Sequence, residues 1–176
     1  GWHIECSAMS CKYLGKHFDI HTGGVDNKFP HHENEIAQNE AAFNEKFVNY
    51  WLHCEHLIVD GEKMSKSKGN FYTLRDLLNK GLSPEAIRYS LMNSHYRKQL
   101  NFTIEGINQS QSAIDRVNDL IFRLKDITKT DADDSAVMKE LEEANKNFFE
   151  SIYDDLNVSE ALGVFFSFIK SINVYF

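Results

Sequence analysis

The sequence predicts an α/β unit followed by an α-helical bundle, and two observations carry that reading. Up to about residue 80, short apolar runs alternate with polar residues and are punctuated by glycine, as strands and their loops are. Beyond it, apolar residues recur at spacings of three, four and seven, the period of helices that each bury one stripe.

Phe18-Asp19-Ile20-His21 alternates apolar and polar and reads as a strand, broken by Thr22-Gly23-Gly24. Pro30 then opens a helix that runs through Ile36 and Ala37, since its fixed φ suits the first helical position. The run Val48 to Val59 reads as one buried strand feeding a mobile polar loop, Asp60 to Asn70. Ser83-Pro84-Glu85 is a helix start with Ser83 as cap, with Ile87, Leu91 and Met92 on one face and an end near Asn93.

Three further helices follow. Ile104, Ile107, Ile114, Val117, Ile121 and Leu124 form the stripe of the first. A turn over Asp131-Ala132-Asp133-Asp134-Ser135 leads to the second, striped by Met138, Leu141, Phe148 and Ile152. Asn157 and Glu160 form a capping box for the third, which carries Ala161, Leu162, Phe165, Phe168, Ile169 and Ile172. There is no internal repeat and no low-complexity tract.

The 176 residues are 42 % hydrophobic and 26 % charged, ordinary for a globular protein, and no run approaches a membrane span. A net charge of -7 excludes a broad basic stripe, so any nucleic-acid contact must be local. Three irregularly spaced cysteines do not suggest the paired disulfide framework of a small secreted domain and fit a reducing cytoplasm. The chain opens on Gly1-Trp2-His3 without an initiator Met or a leader and closes on Asn173-Val174-Tyr175-Phe176 within an apolar pattern, so it is expected to be part of a longer protein.

Two constellations carry chemistry. Lys63-Met64-Ser65-Lys66-Ser67, followed by Lys68-Gly69-Asn70, sets three lysines among small residues. By composition alone it is a solvated basic loop; it is equally a place where flexible ammonium groups can follow charge moving onto a polyphosphate. In the second, Cys6 joins Pro30-His31-His32-Glu33-Asn34-Glu35, where His31 and Glu35 lie one helical turn apart, the spacing for two ligands of one metal ion. The alternative is an acidic helix start with a structural histidine. Cys11 and Cys54 read as core residues, and His53 and His56 as packing or surface residues.

The string Lys63–Ser67 is identical to the KMSKS signature of class I aminoacyl-tRNA synthetases. Gly1-Trp2-His3-Ile4-Glu5-Cys6-Ser7-Ala8-Met9, Phe18-Asp19-Ile20-His21 and Phe29-Pro30-His31-His32-Glu33-Asn34-Glu35 resemble consecutive blocks of the cysteinyl-tRNA synthetase family. The likeness continues through Ala86-Ile87-Arg88-Tyr89, Ser94-His95-Tyr96-Arg97 and Gln99-Leu100-Asn101-Phe102 to Asp154-Asp155-Leu156-Asn157.

This resemblance implies the second half of a Rossmann-like catalytic domain over residues 1–80, with a zinc site and the signature loop. A connecting segment and an incomplete helical bundle would fill 81–176. It implies one Zn2+ held by Cys6, His31 and Glu35 with a cysteine outside this sequence. Lys63 and Lys66 would bind ATP and stabilise its triphosphate, with Mg2+ present; Trp2 and His21 would line the cysteine pocket, and Asp26 would lie near the ribose. For Trp2 and Asp26 the residues alone equally allow a core and a loop role. His21-Thr22-Gly23-Gly24 is not the family's HIGH-type signature, which belongs to the other half of that domain.

The implied activity is ATP-dependent formation of cysteinyl-adenylate and transfer to tRNA(Cys), by a parent protein expected to be monomeric. The isolated chain, without the first half of the nucleotide-binding fold and the anticodon-reading end, is expected to be a poor enzyme. Two other readings share these motifs: the cysteine ligase of mycothiol synthesis, which joins cysteine to an amino sugar, and a zinc-stabilised interaction module.

Overall fold

The structure, a computed structural model, describes residues 1–128 and 133–175. It divides into two compact units, one made of Gly1–His56 with Tyr96–Gln99 and the other of Leu57–His95 with the chain from Leu100 onward. No helix among the described residues is long and apolar enough to cross a membrane.

The first unit opens with helix α1, Trp2–Leu14, to which the sequence analysis assigns no element. Its large apolar residues are not buried: Trp2, Ile4, Met9, Tyr13 and Leu14 are all exposed, and Ser7 is its buried residue. Strand β1, Phe18–Gly24, leads through a 3-10 turn, Val25–Asn27, and a π-type segment, Lys28–His32, into α2, Glu33–Phe43. Phe29 is extended (φ -135°, ψ 132°), so helical backbone begins at Pro30, as its fixed φ favours. β1 does not break at Thr22-Gly23-Gly24; Gly23 and Gly24 pair with His53 and Cys54 of the next strand.

That strand, β2, spans Val48–Cys54 and runs parallel to β1, with α2 as the crossover, so the expected strand, loop and helix form a βαβ unit. The single buried strand expected over Val48 to Val59 is in fact two. Glu55 and His56 interrupt it, and the Glu55 amide donates to the Tyr96 carbonyl (2.8 Å). Buried residues here are mostly polar: Phe47 and Val48 stand beside Ser7, His31, His32, Glu35 and Asn39. Polar groups bury without penalty only when partnered, which directs attention to what they bind.

In the second unit β3, Leu57–Val59, lies between β4, Glu62–Lys63, and β5, Leu100–Phe102, antiparallel to the first and parallel to the second. Helix α3, Leu74–Asn79, starts at a capping box formed by Thr73 and Asp76. Helix α4, Pro84–Met92, starts where Ser83 accepts from the Ala86 amide (3.1 Å) and ends at Asn93, as the local chemistry requires. Its buried face is Ala86, Ile87 and Ser90, whereas the expected Leu91 and Met92 are exposed. Val59, Leu77, Ala86, Ile87, Phe102 and Ile107 form one core, with Met64 of the lysine-rich segment packed against it.

Helix α5, Ile104–Lys125, buries Ile107, Ser110, Ala113 and Leu120; Ile121 and Leu124 of the expected stripe are exposed. The turn expected between α5 and the next helix falls partly outside the described residues; within them, Asp133 accepts from the Ser135 amide (3.0 Å). Helix α6, Ser135–Tyr153, packs on α7, Val158–Ile172, although Met138 and Leu141 of its expected stripe are exposed. Asn157 caps α7 by accepting from the Glu160 amide (3.3 Å) and donating to the Glu160 carboxylate (2.8 Å). Leu120, Ile169 and Ile172 form a second core.

Candidate functional site

Cys6, the buried His31 and the buried Glu35 offer sulfur, nitrogen and oxygen atoms that all lie within 4.8 Å of one another. The helical turn between His31 and Glu35 stacks their side chains, and α1 brings Cys6 to them. Ser7 donates to Gln38 (2.8 Å) and Cys11 to the Asn39 side chain (2.7 Å), which ties α1 to α2. Asn39 in turn donates to the Glu35 carbonyl (2.8 Å). Cys11 is thus half-buried and hydrogen-bonded, while Cys54, expected in the core, is exposed at the end of β2.

Glu35 is completely buried, and its two oxygens differ. Oε2 is 2.8 Å from His21 Nε2, a hydrogen bond. Oε1 is 2.8 Å from His31 Nε2 but has no hydrogen-bond partner, because the two atoms are close without being aligned. Two ligand atoms that lie close without bonding each other are what a shared cation requires, and S, N and O donors suit zinc. Burial, and then the negative charges of Glu35 and Glu5, hold the Cys6 thiol above its ordinary pKa, so a thiolate here needs a compensating cation. The residues present fit such an ion.

Around this group the aromatic residues are layered. Trp2, itself 58 % exposed, stacks on His31 with ring centroids 3.9 Å apart, and His3 Nδ1 meets His31 Nδ1 at 2.8 Å. His21 stacks on Trp51 at 4.6 Å, its direct partner in the β1 and β2 register. His21, His32 and Glu35 form a second group within 4.8 Å, so Glu35 belongs to both. Gly23 leaves room for His32: a Cβ there would lie 2.5 Å from the imidazole.

His32 and His53, neither of them predicted from the sequence to belong to the site, contribute to this layer. Their rings are joined by a 2.8 Å hydrogen bond. Burial, then His21, His53 and His31, lower the pKa of His32 from 6.5 to about 4; burial, then Lys28, lower that of His53. Both are therefore neutral at pH 7, and one can donate to the other. An unfolded histidine takes up its proton near 6.5 and folded His32 only near 4, so the folded state loses stability as pH falls through that window. With chelator present, thermal unfolding is expected to show this loss and His32→Gln to reduce it; identical pH profiles for the two proteins would contradict it.

Asp26 stands in neither group of candidate ligands. It lies in the 3-10 turn after β1, with its carboxylate so close to Gly24 that a Cβ there would meet Oδ1 at 2.4 Å.

Lys63 and Lys66 belong to the second unit. Lys63 ends β4, and Lys66 opens a single 3-10 turn, Lys66–Lys68, closed by Gly69 in the left-handed region (φ 71°). Lys68 pairs with Glu62 (2.7 Å), whereas Lys66 lies over the Phe71 ring at 5.3 Å. Among the described residues neither Lys63 nor Lys66 has a carboxylate partner within 4.0 Å, which leaves both exposed ammonium groups available to an anion.

Residues 1–112 match the family described as the tRNA synthetases class I (C) catalytic domain. The chain is 82 % identical over 178 residues to the cysteine-tRNA ligase of Brachyspira hyodysenteriae, covering 100 % of this chain and 38 % of that protein. It is 54 % identical over 173 residues to that of Protochlamydia amoebophila, covering 98 % and 36 %. The chain thus spans less than two fifths of these relatives' length. Its fold is similar to that of LeuRS in the ternary LeuRS-tRNA-LeuAMS complex from Agrobacterium radiobacter, with a TM-score of 0.73 at 16 % identity over 88 % of this chain and 22 % of that one. With its first 112 residues matched, the chain belongs to the class I (C) tRNA synthetase catalytic-domain family.

Proposed function

We propose that the protein containing this chain activates cysteine with ATP and transfers it to tRNA(Cys), and that Cys6, His31 and Glu35 hold a zinc ion in its amino-acid pocket. The observation that carries the metal is the buried, unpartnered Glu35 Oε1 beside His31 Nε2 and Cys6. When bound, zinc offers a coordination position that a thiolate fills far better than a serine hydroxyl does. A cysteine outside this sequence is expected as the remaining protein ligand. High identity to cysteine-tRNA ligases supports the substrate assignment.

In this reading a carboxylate oxygen of cysteine attacks the α-phosphorus of ATP, the bond to the bridging oxygen breaks, and pyrophosphate leaves. Lys66 and Lys63 stabilise the charge that develops on the departing group, with Mg2+ alongside. His21 keeps one Glu35 oxygen hydrogen-bonded, which would leave the other free to hold the metal. Trp2, stacked on His31, lines the cysteine pocket with His21, and Asp26 lies near the ribose. Residues 1–80 serve as the second half of the catalytic domain and 81–176 as connecting segment and helical bundle. Free cysteines fit a reducing cytoplasm.

Charging of tRNA(Cys) by the full-length protein tests this directly. ATP-dependent attachment of labelled cysteine to tRNA is expected; attachment to an amino sugar in its place would overturn the assignment.

A further inference from the structure

One side chain spans the base of the lysine-rich loop. Asn70, half-buried, accepts from the Ser65 amide through Oδ1 (2.8 Å) and donates through Nδ2 to the Lys63 carbonyl (3.2 Å) and the Val59 carbonyl (3.5 Å). It therefore joins the end of β3, the end of β4 and the residue that caps the turn bearing Lys66. Ser65 is extended (φ -151°, ψ 135°), and with its amide fixed the following turn has a set direction. Met64, between the two residues that Asn70 grips, is packed against the core. The backbone of the loop is thus anchored, while the Lys63 and Lys66 side chains stay exposed.

We propose that Asn70 is a positioning residue for the adenylation step, holding the Lys63–Ser65 backbone so that Lys63 and Lys66 meet the triphosphate in the geometry of the transition state. This rests on the function proposed above. A long, flexible lysine side chain loses effect when its backbone origin wanders, because placement of charge, more than its presence, lowers the barrier. Removing the anchor should therefore act on kcat through the lysines and little on ground-state binding.

The test is cysteine-dependent ATP–pyrophosphate exchange by the full-length protein, with thermal unfolding recorded for every variant. Asn70→Ala is expected to lower kcat about tenfold or more, with the KM for cysteine unchanged and the KM for ATP moved about threefold or less. In a Lys66→Ala background the same substitution should cost about threefold less than in the parent, since one of the two groups it positions is gone. Asn70→Ser, which keeps a polar group but cannot span from Ser65 to Val59, carries the same expectation if the alanine variant folds poorly. A parent-level kcat in the Asn70 variants, or an equal loss with and without Lys66, overturns the positioning role. If Lys66→Ala itself exchanges at the parent rate, the adenylation reading beneath it falls instead.

Discussion

Replacing Lys66 by alanine in the full-length protein is expected to lower cysteine-dependent pyrophosphate exchange by about a hundredfold or more, while the KM for ATP shifts much less. The direction follows from timing. Charge accumulates on the leaving pyrophosphate only as the bond to the α-phosphorus breaks, so a lysine that meets it there contributes to the transition state more than to bound ATP. Lys66 is exposed and has no carboxylate partner among the described residues. Lys68 is different: it is already paired with Glu62, and both side chains are more than half exposed, so the pair adds little to stability. Lys68→Ala is therefore expected to leave exchange within about threefold of the parent. Equal losses at the two positions would mean that the loop supplies only diffuse positive charge.

Cys6→Ser is expected to remove zinc from the purified full-length protein. A thiolate binds zinc far more strongly than a serine hydroxyl, and without it His31, Glu35 and the cysteine expected outside this sequence hold the ion too weakly to retain it through purification. Metal analysis of parent and variant checks this. One zinc per chain in the parent and a small fraction of that in the variant is the expected outcome; equal content would remove Cys6 from the ligand set.

Much of the fold could be read locally. Ser83 and Asn157 marked helix starts because a cap is a bond between neighbours in sequence, and both bonds are present. The helix beginning at Pro30 was legible because the fixed φ of proline is likewise a local property. Burial stripes were less so. Leu91, Met92, Ile121 and Leu124 fit the helical period yet are exposed, while the smaller Ser90, Ser110 and Ala113 are buried. α1 escaped notice although Trp2, Met9 and Tyr13 recur at helical spacing.

The candidate site shows the same boundary. The spacing of His31 and Glu35 is a property of one helix, but the joining of His32 to His53 depends on the pairing of β1 with β2 and on the bare Gly23 beside His32. An alternation signal was present, as Trp51 and His53 lie two apart on β2 opposite His21 and Gly23, although it does not disclose which helix covers that face. Cys54 sits next to His53 and is exposed, so a free cysteine near a site need be neither ligand nor core.

The central claim is that this pocket selects a thiol for adenylation. The measurement that tests it most directly is ATP–pyrophosphate exchange by the full-length protein with cysteine and with serine as the sole amino acid. Exchange that depends on cysteine and is not measurable with serine is the expected result; comparable exchange with serine, or none with cysteine, would contradict it.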